Sequence, residues 1–443
     1  MALYENREAF IPYRRTDLIE LCLEDGKLSP ADRPKFRDFC KILSAYYHFH
    51  FHHTLENLKD NYAPFHPDAA TKSREQPSPN QLAEMETQLV EDFSKLLERA
   101  NYFPLSADSL QRAFEEKSLI ELKTDVDFND FERMVCYCRG DIYQLTYTKK
   151  FFKKIEKKID SFERVALLIK FKDKKYFRRN RKSLKKLKFL PGKTYVYLYK
   201  NVPKFDLEFI FPNVEISMTL KDRLMFGLPA IGAAIPVLLK VLPQLLLIAG
   251  VILFIVFGDS GLEYVQAKEE DVRNIMPALI ASLSLLVTLG GFAFKQYNTY
   301  KNKQIQFQKH VTETLFFRNL AINIGVFQSL IDTAEEEECK EIILVYYHLL
   351  TNPEMMTPEE LDNSIEAWMD EKFNTKIDFD INGPLENLKN LKGKVVQEGE
   401  EEEKLPEVPL LNYDEQGRCQ VLSLDDAKIA IDYVWDKAFT FTK

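Results

Sequence analysis

Glycine is scarce in this chain, 15 in 443 residues. That scarcity argues against a set of Gly-rich loops cradling phosphates. No G-x-x-x-x-G-K-[ST], G-x-G-x-x-G or G-x-S-x-G occurs, so neither nucleotide binding nor a nucleophile elbow has motif support. H-E-x-x-H is also missing. The six cysteines, Cys22, Cys40, Cys136, Cys138, Cys339 and Cys419, are scattered. The one close pair is C-x-C, without the paired C-x-x-C spacing of a zinc site, which predicts reduced thiols in a reducing compartment. The opening "MALYENREAFIPYRR" lacks an apolar h-region and carries Glu5 and Glu8. It predicts neither a signal peptide nor a transit peptide and fits a bacterial cytoplasmic start. No catalytic residue and no cofactor is assigned, and the balance leans away from an enzyme.

What is present is apolar mass and unevenly placed charge. Hydrophobic residues make up 45% and aromatics 12% of the chain, enough for the cores of two or three domains. The net charge of -8 conceals an asymmetry: Lys149 to Lys188 holds eighteen bases against four acids, a balance of +14. The acidic share falls mostly in the C-terminal quarter.

Five of the seven histidines crowd into "AYYHFHFHHTLENLKDNYAPFHPD". Leu43, Tyr47, Phe51, Leu55, Leu58 and Tyr62 recur there at spacings of three and four, which predicts one apolar helical stripe. His48, His52 and Glu56 flank it at i, i+4 and i+8, where they are candidate metal ligands. A site needs a third and usually a fourth ligand, so packing histidines are the preferred reading. Asp125, Asp127 and Asp130 cluster too, but Asp130 and Cys136 stand where an EF-hand needs Gly and Glu. Glu337, Glu338, Glu341 and His348 lack the paired E-x-x-H of a di-metal bundle and read as a solvated or intramolecular pairing face.

Two charge-poor runs dominate the middle of the chain. Leu224 to Phe257 has Lys240 as its one charge, and Ile275 to Phe294 has none. A bilayer core takes roughly 20 apolar residues as helix. The expectation is an interfacial or re-entrant piece at 222–240, interrupted by Pro229 and Pro236, then spans at 241–257 and 275–294, with Lys240 and Gln244 as intramembrane polar groups. The linking loop is acidic and the outer flanks are basic, which puts both termini on the cytoplasmic side. A bacterial inner membrane is the expected host, with a thylakoid or organellar inner membrane as the alternative.

The predicted fold class is mainly α with a small α+β module, a two-helix transmembrane hairpin and a C-terminal winged-helix-like module. The predicted division is an N-terminal helical domain (1–145), a basic α+β juxtamembrane module (146–220), a membrane region (221–296), a helical segment (297–352) and an acidic winged-helix-like module (353–443). "RVALLIKF" and "TYVYLYKN" are β-branched and aromatic, hence strands. The bases Lys149, Lys150, Lys153, Lys154, Lys157, Lys158, Lys174, Lys175, Arg178, Arg179, Arg181 and Lys182 are read as a lipid-surface patch for anionic headgroups, with Phe151, Phe152, Tyr176 and Phe177 interleaved. Nucleic acid is disfavoured, since no RRM, KH or zinc-finger signature accompanies the patch.

Four stretches carry a resemblance: "FCKILSAYYHFHFHHTLENLKDNYAPFHPD", "VDFNDFERMVCYCRGD", "YKNVPKFDLEFIFPNVEISMTLKDR" and "FRNLAINIGVFQSLIDTAEEEECKEIILVYYHLL". On them the chain resembles the transmembrane protein 143-like family, or domain of unknown function 3754. The most specific positions are Asn201, Pro203, Asp206, Leu207, Glu208 and Pro212. The resemblance implies a bacterial or organellar membrane protein and supplies no activity. It also implies acids in relatives where His50 and His66 stand here, which weakens a metal role.

The function expected from sequence is an integral membrane, non-enzymatic scaffold or partner platform, homo-oligomeric, binding unidentified protein partners. An oligomeric channel or transporter is the first alternative. A membrane-bound metal-dependent enzyme using His48, His52 and Glu56, or Asp127 and Asp130, is the second.

Overall fold

The structure is a computed structural model, which describes residues 3–4, 10–69, 74, 76–105, 123–150, 153–180, 184–217, part of 280–314, 315–395 and 405–437. The helices are α1 (Arg15–Glu24), α2 (Asp32–Tyr62), α3 (Pro79–Arg99), α4 (Lys174–Arg179), α5 (Ile324–Thr351), α6 (Pro358–Phe373), α7 (Asn382–Asn390) and α8 (Leu424–Lys437). Local chemistry sets several of their ends. Ser78 with Gln81 and Thr357 with Glu360 form capping boxes, each with Pro at the first helical position. Asn374 closes α6 in the left-handed region.

The principal strands are β1 (Leu3–Tyr4), β2 (Phe103–Pro104), β3 (Lys123–Asp125), β4 (Phe131–Lys150), β5 (Lys153–Phe171), β6 (Thr194–Pro203), β7 (Glu215–Ser217) and β8 (Asn319–Ile322). They build an antiparallel sheet in the order β1-β4-β5-β6-β8, with β2 also on β4. Register puts Tyr137, Ala166 and Leu198 on one face with the helical core, and Cys136, Leu167 and Tyr197 on the other. Both faces are buried at β5, which explains a continuous apolar run where a half-solvated strand would alternate. Gly140, at φ +75°, lies so close to β5 that an added Cβ would overlap that of Glu163.

The chain divides into two compact units, one of residues 1–116, 127–207 and 318–443, the other of 117–126 and 208–317. In the first, α5 is the central helix, packed by α1, α2, α3, α6 and α7. The stripe foreseen on α2 is buried throughout, from Leu43 to Tyr62. The C-terminal elements run α6, α7, β9 (Lys392–Gly393) with β10 (Val408–Pro409), β11 (Leu411–Tyr413) with β12 (Cys419–Val421), then α8. They share the core of the N-terminal helices, α8 lying on α2 and α7 on α5. In the second unit, β3 pairs with β7.

Two expectations are corrected here. The fold is mixed, helices with a long antiparallel sheet, and not mainly α with a small α+β module and an appended winged helix. Among the described residues no helix is long and apolar enough to cross a membrane. The transmembrane hairpin is therefore not supported. The integral membrane reading, its channel and membrane-enzyme alternatives, and the two-span localisation with cytoplasmic termini fall with it. Apolar length in a sequence predicts a span from composition alone, whereas a span needs that length in one unbroken helix, which none of the described residues provides. Residues 222–240 with Lys240, the stretch 241–257 with Gln244, and much of 275–294 lie outside the described residues.

Candidate functional site

The lysine-rich stretch folds as a β-ribbon. The β4–β5 register is continuous from Arg133 opposite Lys170 to Lys150 opposite Lys153. β6 covers β5 from Ser161 to Lys170, and β1 reaches β4 at Ile142 and Tyr143. Among the described residues, then, 144–150 and 153–159 pair only with each other. Within that ribbon Lys149 stands opposite Lys154, and Lys150 opposite Lys153, while Thr146 and Leu145 face Lys157 and Lys158. Like charges at directly opposed positions destabilise an antiparallel pair by about 0.2–1 kcal/mol each. A ribbon of two strands is marginal by itself. The sequence reading found these lysines but not their cross-strand pairing, because it left 144–158 without a strand.

Ten of the twelve candidate bases lie among the described residues, six on the ribbon and four on α4. α4 follows the far end of β5, about 60 Å of strand away from the ribbon end at roughly 3.3 Å per residue. Lys174, Lys175, Arg178 and Arg179 are all exposed on it, with Asp173 capping its start through the Tyr176 amide at 2.8 Å. Arg181 and Lys182 lie outside the described residues, as do Phe151 and Phe152. Phe177 is fully buried, 5.5 Å from the Phe189 ring, and offers nothing to a surface. Lys170, between the two patches, is tied to Glu86 at 2.6 Å and Glu132 at 3.2 Å.

The histidines are dispersed. His48 meets Glu335 at 2.9 Å, Glu56 meets Lys59 at 2.7 Å, and His52 is exposed. His50 stacks on Tyr46, and the Nδ1 of His66 accepts from the Asp68 amide. No group of three or more His, Cys, Asp or Glu among the described residues could hold a metal. Asp127 accepts from the Asn129 amide as a turn cap, and Asp130 is buried at the start of β4.

The acids of α5 are not a solvated face. Glu337, Glu338 and Glu341 are buried and each has its own partner. Glu338 takes a bidentate pair from Arg99, with Nη2 at 2.9 Å. Glu341 accepts from Asn101 at 2.9 Å, and Glu337 from the Ile11 amide at 3.2 Å. Burial pushes Glu341 up to about 8, with Glu337, Glu338 and Asp380 adding to it against the Asn101 hydrogen bond. His348, about two turns further along the same helix, is driven down to about 4 by burial and stacks edge-on against Trp368. These groups knit the core together; Ile11, Arg99 and Asn101 lie hundreds of residues from the glutamates they meet, and no spacing rule points to them.

No solved structure matches the chain. Residues 162–325, from β5 through β8, match the model of a family described as a protein of unknown function (DUF3754), so this part of the chain is a domain of unknown function.

Proposed function

We propose that the protein is a non-catalytic binding protein that docks peripherally on anionic phospholipid headgroups through the β4–β5 ribbon. The observation that carries this is the pair of Lys–Lys positions facing across a ribbon that, among the described residues, pairs with no further strand. Residues 144–158 hold six lysines and one glutamate. An anionic surface relieves the repulsion between them and contributes about 1 kcal/mol per lysine close to it. Phe151 and Phe152 stand between the lysine pairs in sequence, a composition suited to the headgroup boundary. Lipid is favoured over nucleic acid because the remainder of the chain is strongly acidic, and a long polyanion lying along it would be repelled. α4 is a separate basic face and no part of this contact.

Kinship with the transmembrane protein 143-like family is a second part of the proposal. The segment from Asn201 to Pro212, most specific to that resemblance, lies inside the matched stretch. It adds no activity.

The test is co-sedimentation of the full chain with phosphatidylcholine vesicles made with and without phosphatidylserine. Binding is expected only to the anionic vesicles, weakened by salt, and reduced at least tenfold (about 1.4 kcal/mol) when Lys149, Lys150, Lys153 and Lys154 are changed to Glu. Equal binding of that variant, or preference for a single-stranded oligonucleotide over the vesicles, overturns the proposal.

A further inference from the structure

We propose that the basic lobe between β5 and β6 docks the glutamate run of a second copy of this chain, so that two copies pair reciprocally, lobe to run and run to lobe. Residues 172–193 hold eleven bases and one acid, Asp173. Residues 398–407 hold six glutamates and one lysine. Both belong to the first structural unit, and neither includes any part of the ribbon.

Packing turns the lobe's apolar side chains inward and its charges outward. Phe177 is withdrawn into the core, and the Phe189 ring stacks on Phe171 with centroids 3.5 Å apart. Backbone closes the neck: the Gly192 amide donates to the Lys172 carbonyl at 2.9 Å, and the Phe171 amide to that of Lys193 at 3.1 Å. Lys174, Lys175, Arg178, Arg179, Lys185 and Lys188 are exposed on the lobe. Among the described residues, none of these six side chains has a hydrogen bond, an ion pair or a ring contact. Asp173 is engaged with the Tyr176 amide at the start of α4. Leu190 is the one large apolar side chain exposed there among the described residues, so charge selects what binds.

Six glutamates answer six unpaired cations. Glu398 to Glu403 lie outside the described residues, but the two anchors of the run do not. Gly393 of β9 pairs with Val408 of β10, and Lys392 and Glu407 line one cleft with Tyr46, Phe49 and His50 of α2. The lobe is rooted further along, just past the end of α2, where Lys193 Nζ donates to the Pro64 carbonyl at 3.0 Å and the Tyr62 hydroxyl to that of Thr194 at 2.8 Å. His50 and Pro64 are roughly 20 Å apart at about 1.5 Å per helical residue. The fourteen residues 394–407 leave and return through the β9–β10 ladder, so the middle of the run reaches at most about 23 Å from it at roughly 3.3 Å per residue. Stretched to that limit, the run meets the near edge of its own lobe with no length left to spread over α4. A second copy removes the limit. In a two-fold pair each lobe faces the other copy's run, and both contacts form together. Opposite charges across such an interface choose the partner and set the register, and salt weakens them.

The test is sedimentation velocity of the full chain over a range of concentrations, at low and at high salt. A reversible dimer is expected at low salt and its dissociation at high salt. Changing Lys174, Lys175, Arg178 and Arg179 to Glu, or Glu400, Glu401, Glu402 and Glu403 to Lys, should each weaken the dimer by about tenfold or more. An equimolar mixture of the two variants should dimerise, because each reversed surface then meets its opposite on the other copy. One chain carrying both sets of changes should also recover the parent's self-association. The ribbon variant at Lys149, Lys150, Lys153 and Lys154 should dimerise as the parent does, so failure of this proposal and of the lipid proposal are read separately. A monomer at every concentration, a dimer indifferent to both sets of changes, or a mixture that stays monomeric with intact circular dichroism overturns the proposal. So does a lobe variant that keeps the parent's dimer but loses binding to the phosphatidylserine vesicles, which assigns the lobe to lipid.

Discussion

Lys340 and Glu337 share one turn of α5 with both charged ends buried, Lys340 Nζ lying 2.7 Å from Glu337 Oε1. The same two residues clamp Ile11: Lys340 donates to its carbonyl at 2.6 Å, and Glu337 accepts from its amide. The pair therefore fastens the N-terminal segment to the central helix, with the Phe10 ring over the Lys340 ammonium at 5.2 Å. Burial pushes the Glu337 carboxyl up and Lys340 pulls it back. Lys340→Met removes the counter-ion and leaves a carboxyl buried without one. Loss of one partner of such a pair costs about 3–5 kcal/mol, while replacing both with apolar residues of similar volume is often neutral. Urea unfolding should show Lys340→Met strongly destabilised, and the double change with Glu337→Leu much less so. Equal losses in the two would mean that the pair does not act as a unit.

Glu341 sets the alkaline behaviour of the same helix. Its buried carboxyl, raised to about 8, holds its proton in the folded state, whereas in the unfolded chain it ionises near 4.5. Between those values the unfolded state binds fewer protons, so this group's contribution to stability falls as pH rises from about 4.5 to 8 and is flat above. Glu341→Gln keeps an acceptor for Asn101 and cannot ionise. Relative to the parent, the variant should gain more than about 1 kcal/mol of unfolding free energy between pH 5 and pH 8. Chemical denaturation at several pH values decides it, and parallel curves would remove Glu341 as the cause.

How much of this was legible varies element by element. The α2 stripe was, because six residues at spacings of three and four report a face without any knowledge of its partner. Strand β5 was legible in part, since Arg164 to Phe171 is β-branched and apolar. β4 was not. Its two faces are both buried around Cys136 and Tyr137, which erases alternation, and Arg139 sits in the core against the Phe10 and Tyr102 rings, a charge that argues against a strand until those rings are seen. The Glu335 to Glu341 acids announced a helix but not their burial, since Arg99, Asn101 and Ile11 meet them only through the fold. The lysines were legible as charge. Their opposition across a ribbon was not, because register depends on the turn and on the pairing strand.

His348 governs the acid side. It is buried against Trp368 and Tyr347, its Nδ1 lies 3.4 Å from Ser364 Oγ, and its Nε2 meets no hydrogen-bond partner among the described residues. Burial, its largest influence, and then the Lys27 charge hold it neutral down to about 4, against a small opposing pull from Asp25. The unfolded chain takes up a proton near 6.5, so stability from this group is complete above that pH and is lost as pH falls toward 4. A shift of that size is on the order of 3 kcal/mol. His348→Leu fills the same space with a group that never charges. Its melting temperature should be within a few degrees of the parent at neutral pH, given that a surviving Ser364 hydroxyl can turn to a backbone carbonyl, and clearly above the parent at pH 4.5. If the two proteins instead lose stability in parallel over that range, His348 is not the cause; the Asp25 pair with Lys372, its carboxyl depressed to about 2, acts only at lower pH.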